Sequence, residues 1–94
     1  MTVLTRIRAA VRDGRYEVTD HAKQEAEADE FDPTDVRHAV LEGELVRRYT
    51  RDPRGARYKL FGPALDGRMM YVVCRFNEFG DLRILTVYAE EHEG

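Results

Sequence analysis

Within Val36-Arg37-His38-Ala39-Val40-Leu41-Glu42-Gly43-Glu44-Leu45-Val46-Arg47-Arg48-Tyr49-Thr50 the spacing of apolar residues changes from helical to alternating. Val36, Ala39 and Val40 recur three and four apart, which puts them on one side of a helix. Asp32-Pro33 supplies an N-cap and a first-turn proline, and Gly43 closes the segment, so a helix is expected over 33–42. Beyond Gly43 the β-branched and aromatic residues arrive in runs with period two. Toward the N-terminus, Val3, Leu4, Ile7, Ala10 and Val11 predict an amphipathic helix over 2–12 that Asp13-Gly14 stops. Thr19 or Asp20 caps a second helix over 20–29, whose only apolar positions are Ala22, Ala26 and Ala28. Toward the C-terminus, turn signals at Asp52 to Gly55, Pro63 to Gly67 and Asn77 to Gly80 separate four strands at about 44–50, 56–62, 68–76 and 82–88. Short connections favour an antiparallel meander, so the expected class is α+β: three N-terminal helices packed on one face of a four-stranded antiparallel sheet.

The last hairpin assigns its faces once a register is chosen, because a one-residue slip exchanges them. With Asn77 to Gly80 as a four-residue loop, Phe76 pairs with Asp81 and Met70 with Val87. Met70, Val72, Cys74, Phe76, Leu85 and Val87 then face the helices, with Arg83 among them near the turn. Met69, Tyr71, Val73, Arg75, Leu82, Ile84, Thr86 and Tyr88 form the opposite face, Tyr71 opposite Thr86 and Arg75 opposite Leu82.

Ninety-four residues hold one core, so the chain is a single domain with a helical part at 1–43, a sheet part at 44–89 and an acidic tail at 90–94. No window approaches the ~20 consecutive apolar residues of a spanning helix, and the N-terminus lacks the apolar run of a signal peptide, so a cytoplasmic location with no membrane partner is expected. Cys74 is the one cysteine and has no disulfide partner in the chain. Without a disulfide or a zinc site, burial holds the fold together, and a homodimer would add to it. The net charge of −3 is unevenly spread. Residues 1–43 carry six basic against ten acidic side chains, residues 44–88 nine against five, and the tail adds Glu90, Glu91 and Glu93. A phosphate-binding surface therefore belongs to the second half.

The chain contains no Walker loop, GxGxxG, HExxH or GxSxG and no paired cysteines. His21 begins the second helix, where an imidazole can serve as general acid or base, or simply pair with Glu25 one turn on. His21 and Glu25 also stand at the spacing of a metal pair, but no third ligand accompanies them, and neither metal nor cofactor is expected. His38 is expected on the solvent side of the third helix and His92 in the acidic tail. The segment Arg51 to Lys59 is the densest in basic residues, flanked by Tyr49 and Tyr58. Alternation puts Arg57 and Lys59 on one face and Tyr58 with Leu60 on the other. Arginine offers forked donors to phosphate and tyrosine a stacking surface to bases, so Arg47, Arg54, Arg57, Lys59 and Tyr71 are the expected nucleic-acid contacts. The same basic pattern also protects a sheet edge from aggregation. Cys74 is expected in the core.

Read in order, Arg15-Tyr16-Glu17-Val18-Thr19-Asp20-His21-Ala22, Asp35-Val36, Gly43-Glu44, Gly55-Ala56-Arg57-Tyr58 and Ile84-Leu85-Thr86-Val87-Tyr88 resemble the uncharacterised bacterial family called domain of unknown function 4258. That family is distantly similar to the RelE and BrnT toxins of toxin–antitoxin pairs. The resemblance implies a RelE-like fold and metal-independent RNA cleavage, in which a ribose 2′-hydroxyl attacks the neighbouring phosphate. By position, His21, Arg57, Tyr58, Thr86 and Tyr88 match the family's motifs. The implied catalytic set is His21, Tyr88 and Thr86, with Arg57 or Arg75 stabilising the charge that develops. RNA and a cognate antitoxin are the implied partners. Where relatives carry arginines, this chain has Glu25 and Asp29, so an acidic second helix stands near any site that His21 joins. The alternative expectations are a non-enzymatic protein-interaction module of the same fold and a small-ligand pocket between the sheet and the second helix.

Overall fold

Thr2 begins the folded chain by accepting a hydrogen bond from the Thr5 N–H at 3.1 Å, which caps α1 (Val3–Arg12). Gly14 turns the chain at a φ of 71°, and a three-residue strand follows, β1 (Tyr16–Val18). Thr19 then caps α2 (Asp20–Ala28) by accepting from the Ala22 N–H at 3.2 Å. α3 (Pro33–Glu42) begins as expected at Asp32-Pro33, where Asp35 Oδ2 accepts the Asp32 N–H at 2.8 Å. Four further strands complete the fold: β2 (Glu44–Tyr49), β3 (Arg57–Pro63), β4 (Met69–Phe76) and β5 (Leu82–Ala89). The computed structural model describes residues 1–91, so His92 and the end of the acidic tail lie outside the described residues.

The sheet has five strands in the order β1-β5-β4-β3-β2, which corrects the expected four. It is also mixed, because β1 runs parallel to β5 with Tyr16 opposite Leu82 and Val18 opposite Ile84. The part expected to be wholly helical therefore contributes an edge strand. Three residues are too few to establish a period, and their partners come more than sixty residues later.

The β4–β5 register differs from the expected one in two places. Asn77 Oδ1 accepts the N–H groups of Phe79 and Asp81 at 2.9 and 3.0 Å, Gly80 takes a φ of 83°, and the loop uses five residues instead of four. Phe76 pairs with Leu82, so near the turn the faces are exchanged: Leu82 and Ile84 are buried, and Arg83 points to the open face opposite Arg75. Leu85 then forms a bulge, and the second slip restores the parity. Val87 lies opposite Val72 in the core, while Thr86 and Tyr88 face outward opposite Val73 and Tyr71. Val72, Cys74 and Val87 sit as expected; Leu82, Arg83, Ile84 and Leu85 do not.

The helices pack on one face of the sheet, where Ile7, Val11, Ala22, Ala26, Val36 and Val40 meet Leu60, Met70, Val72, Cys74, Ile84 and Val87. α3 approaches β3 closely because both Gly43 and Gly62 lack a side chain. A Cβ on Gly62 would lie 2.1 Å from the Ala39 carbonyl oxygen and 2.9 Å from Gly43 Cα. His38, expected on the solvent side of α3, is half-buried with Nδ1 2.9 Å from the Pro63 carbonyl oxygen, tying the helix to the end of β3.

α2 grips the core with two alanines only, and its carboxylates supply the rest of its attachment. Beyond β1, Glu25 Oε1 accepts the Val87 N–H at 3.2 Å and Asp29 Oδ2 accepts the Ala89 N–H at 2.8 Å. Residues four apart on a helix thus serve amides two apart on a strand, and α2 continues the strand edge that β1 leaves uncovered. Arg68 holds the far end of the helix, donating to the Asp29 and Glu30 carbonyls at 2.9 and 2.8 Å while lying over the Phe31 ring.

Candidate nucleic-acid interface

No helix covers the second face of the sheet, and alternation along β3, β4 and β5 gives it a basic and aromatic composition. β3 presents Arg57, Lys59 and Phe61, β4 presents Tyr71, Val73 and Arg75, and β5 presents Arg83, Thr86 and Tyr88. Cross-strand pairing arranges these in rows. Phe61, Tyr71 and Tyr88 form one row, with ring centroids 4.8 Å apart in the first pair and 5.2 Å in the second. Lys59, Val73 and Thr86 form the next, and Arg47 of β2 pairs with Lys59 at its end. Arg75 and Arg83 lie beyond, with Tyr49 opposite Arg57.

Lys59 stands at the centre of this face. Its Nζ is 4.4 Å from the Tyr71 ring centroid and 5.4 Å from that of Tyr88. The Tyr88 hydroxyl beside it holds the ammonium above its ordinary range, outweighing the burial that lowers it. The side chain is therefore a fixed cation across the physiological pH range. With Tyr71, Tyr88, Ala89, Asp29 and Glu91 it lines a cavity of about 510 Å³.

A second cavity of the same size lies where the β2–β3 loop meets the sheet, lined by Arg48, Tyr49, Arg51, Asp52 and Arg57 among others. Asp52 accepts the Arg54 N–H at 2.9 Å and stands 3.0 Å from Arg57 Nε. That backbone hydrogen bond, with the charges of Arg57, Arg54 and Arg75 nearby, lowers its pKa against a smaller opposing effect of burial. Arg57 and Arg47 both lie over the Tyr49 ring, at 5.0 and 4.9 Å.

Of the residues singled out from sequence, the fold brings Tyr88, Tyr71, Lys59, Thr86, Arg57, Arg75 and Arg47 to one face. Arg54 is in the exposed loop, where its N–H serves the Asp52 turn. His21 does not join them. Its side chain is 71% exposed, its Nε2 lies 3.2 Å from Glu25 Oε1, and it lines neither open-face cavity. Glu25 and Asp29 each direct one oxygen to a β5 amide, and Asp29 also lines the Lys59 cavity. Phe61 and Glu91 join the site without having been singled out, Asp29 joins it after being read only as an acidic departure near His21, and Arg83 joins it from the face opposite to the expected one. Phe61 was within reach of the same alternation that places Arg57 and Lys59 together, whereas Asp29 needed the docking of α2 to be known.

Cys74 is fully buried, and burial pushes its thiol up to about 12, which removes it as a nucleophile. Among the described residues no group of three histidine, cysteine or acidic side chains is arranged to hold a metal ion, and no helix is long and apolar enough to cross a membrane. On the helical side, Val18, Ala26, Phe31, Pro33 and Val36 line a mostly apolar cavity of about 380 Å³ together with Lys23, Glu27 and Asp32.

No curated protein and no solved structure matches the chain. One family model does, across residues 18–89, from the end of β1 to the end of β5 and so through most of the open face just described. The chain belongs to the family described as domain of unknown function DUF4258.

Proposed function

We propose that this domain binds single-stranded RNA across the open face of its sheet and cleaves it without a metal, as a small toxin-type endoribonuclease. The observation that carries the reading is the Lys59–Tyr71–Tyr88 cluster, a fixed cation over two stacked phenols on a face that no helix covers. Aromatic rings on an exposed sheet stack bases, and the surrounding Arg47 and Arg75 meet the phosphates. The resemblance to RelE- and BrnT-type toxins supports the same chemistry, but His21 takes no part in it.

Cleavage in this arrangement begins when a ribose 2′-hydroxyl attacks the adjacent phosphorus and gives its proton to a carboxylate, for which Glu91 is the exposed candidate in the cavity. Lys59 neutralises charge on the phosphorane, and Tyr88 donates a proton to the departing 5′-oxygen. The products are a 2′,3′-cyclic phosphate and a 5′-hydroxyl. The test is fluorescence anisotropy with labelled single-stranded RNA at low salt, followed by product analysis in excess chelator. Lys59→Ala should weaken binding and abolish cleavage, whereas Tyr88→Phe should keep most of the binding and lose about 10²-fold or more in rate. His21→Ala should change neither. An absence of binding at low salt overturns the reading.

A second reading, a non-enzymatic module that binds a protein partner or small ligand, is favoured by the apolar cavity between β1, α2 and α3. Phe31→Ala should then abolish partner capture while leaving RNA binding intact.

A further inference from the structure

The cavity around Lys59 has a cationic side and an acidic side, and the two are joined by an aromatic floor. Lys59 lies over Tyr71 and Tyr88, and Asp29 and Glu91 complete the lining. A nucleotide has the same sequence of chemistries: an anionic phosphate, then a flat base, then the hydrogen-bonding edge of that base. With the phosphate at Lys59 and the base against the Tyr71–Tyr88 wall of the cavity, that edge is directed to Asp29.

Asp29 is held to meet it. Its Oδ2 accepts the Ala89 N–H at 2.8 Å, which anchors one carboxylate oxygen, and its backbone carbonyl accepts from Arg68 at 2.9 Å. Its Oδ1 accepts no protein hydrogen bond among the described residues, and Oδ2 keeps a second lone pair. An oriented carboxylate is an acceptor of paired donors, and the four RNA bases differ sharply in what they offer it. Guanine presents N1–H and N2–H side by side. Adenine and cytosine each present one amino group beside an acceptor nitrogen, which would face the second carboxylate oxygen with a lone pair. Uracil presents one N–H between two carbonyl oxygens.

We propose that Asp29 is a specificity-determining residue that reads the base at this site and gives the domain a preference for guanosine. The inference rests on the RNA reading above and adds the identity of the nucleotide to it. The same structural logic explains why an acidic residue stands beside a phosphate-binding lysine: it faces the neutral donor edge of the base, away from the backbone charge.

The test is anisotropy on the full chain with oligouridines that carry one central guanosine, inosine, adenosine or cytidine. Guanosine should bind about tenfold more tightly than the others, within the range that paired contacts to a base provide. Inosine, which lacks the N2 amine, should rank with adenosine. Asp29→Asn keeps an oxygen for the Ala89 N–H but replaces the second acceptor with a donor, so it should equalise guanosine and inosine. Thermal unfolding of the variant confirms that the β5 edge is intact. Equal binding of all four oligonucleotides, still sensitive to Lys59→Ala, overturns the guanosine preference and leaves the RNA reading standing. A guanosine preference that survives in Asp29→Asn overturns Asp29 as the reader. No binding of any oligonucleotide overturns both.

Discussion

Cys74 shows what the interior does to a reactive group. Its thiol is pushed to about 12 by burial alone, with no cation beside it to favour the thiolate. Alkylation by iodoacetamide at pH 8 should therefore be negligible in the native protein and complete in denaturant; rapid labelling of the folded chain would contradict this burial. Gly62 marks the opposite limit, a position where nothing can be added. A methyl there would meet the Ala39 carbonyl oxygen at 2.1 Å, and both groups belong to backbone that other contacts hold. Gly62→Ala should lower stability by about 1–3 kcal/mol, the usual cost of overpacking a tight contact. Chemical denaturation of the two proteins measures the difference, and equal midpoints would mean that α3 can move away freely.

Among the helices, α2 has the least apolar surface in the core, two alanines, and carboxylates complete its attachment. Removing Glu25 or Asp29 strips a β5 amide of its acceptor at a partly covered edge. Glu25→Ala and Asp29→Ala should each destabilise by about 1–3 kcal/mol, the cost of a donor left unpaired. The double variant should cost less than the sum, because both residues serve one helix–strand seam. Hydrogen exchange at Val87 and Ala89 should accelerate selectively, and unchanged protection there would show that these carboxylates are ornamental. The turns follow a related rule. Asp52 and Asp66 accept the N–H groups of Arg54 and Arg68, and those bonds lower both pKa values. A carboxyl whose folded pKa is depressed adds stability that is present above its unfolded pKa and lost as pH falls through the folded one. Both folded pKa values lie below the ordinary aspartate value near 3.9, so the Arg54 and Arg68 amide resonances should stay in place down to about pH 4 and shift below it. Asp52→Asn should remove the shift at Arg54 alone. A shift centred near neutral pH would show that other groups control these loops.

Over the whole molecule, the helices close one side of the sheet and leave the basic side to solvent. Arg57 and Arg83 already face Asp52 and Glu17, so Arg47, Lys59 and Arg75 are the cations available to phosphate. With about three phosphates neutralised, log K for single-stranded RNA should fall with log salt at a slope of about −2. Lys59→Ala should reduce that slope by about one counterion. A slope near zero would mean that the open face does not carry the interaction, and would favour the protein- or ligand-binding alternative.

Local pattern determined much of this arrangement. Asp32-Pro33 and Gly43 delimit α3 through capping and φ constraints that act within a few residues, and the alternation of Arg57, Lys59 and Leu60 assigns the faces of β3 directly. The charge division between residues 1–43 and 44–88 was legible for the same reason, since strands facing solvent on one side must display their polar residues there. Tertiary structure decided the remainder. Tyr16–Val18 becomes a strand only because Leu82–Ile84 offers it an edge. The five-residue loop and the Leu85 bulge are set by an Asn77 side chain and a Thr19 hydroxyl that accept and donate to backbone groups, which no hydrophobic period records. His21 left the site and Asp29 entered it for one reason: the position of α2 along the β5 edge is fixed by hydrogen bonds between residues about sixty apart, and such pairing exists only once the chain has folded.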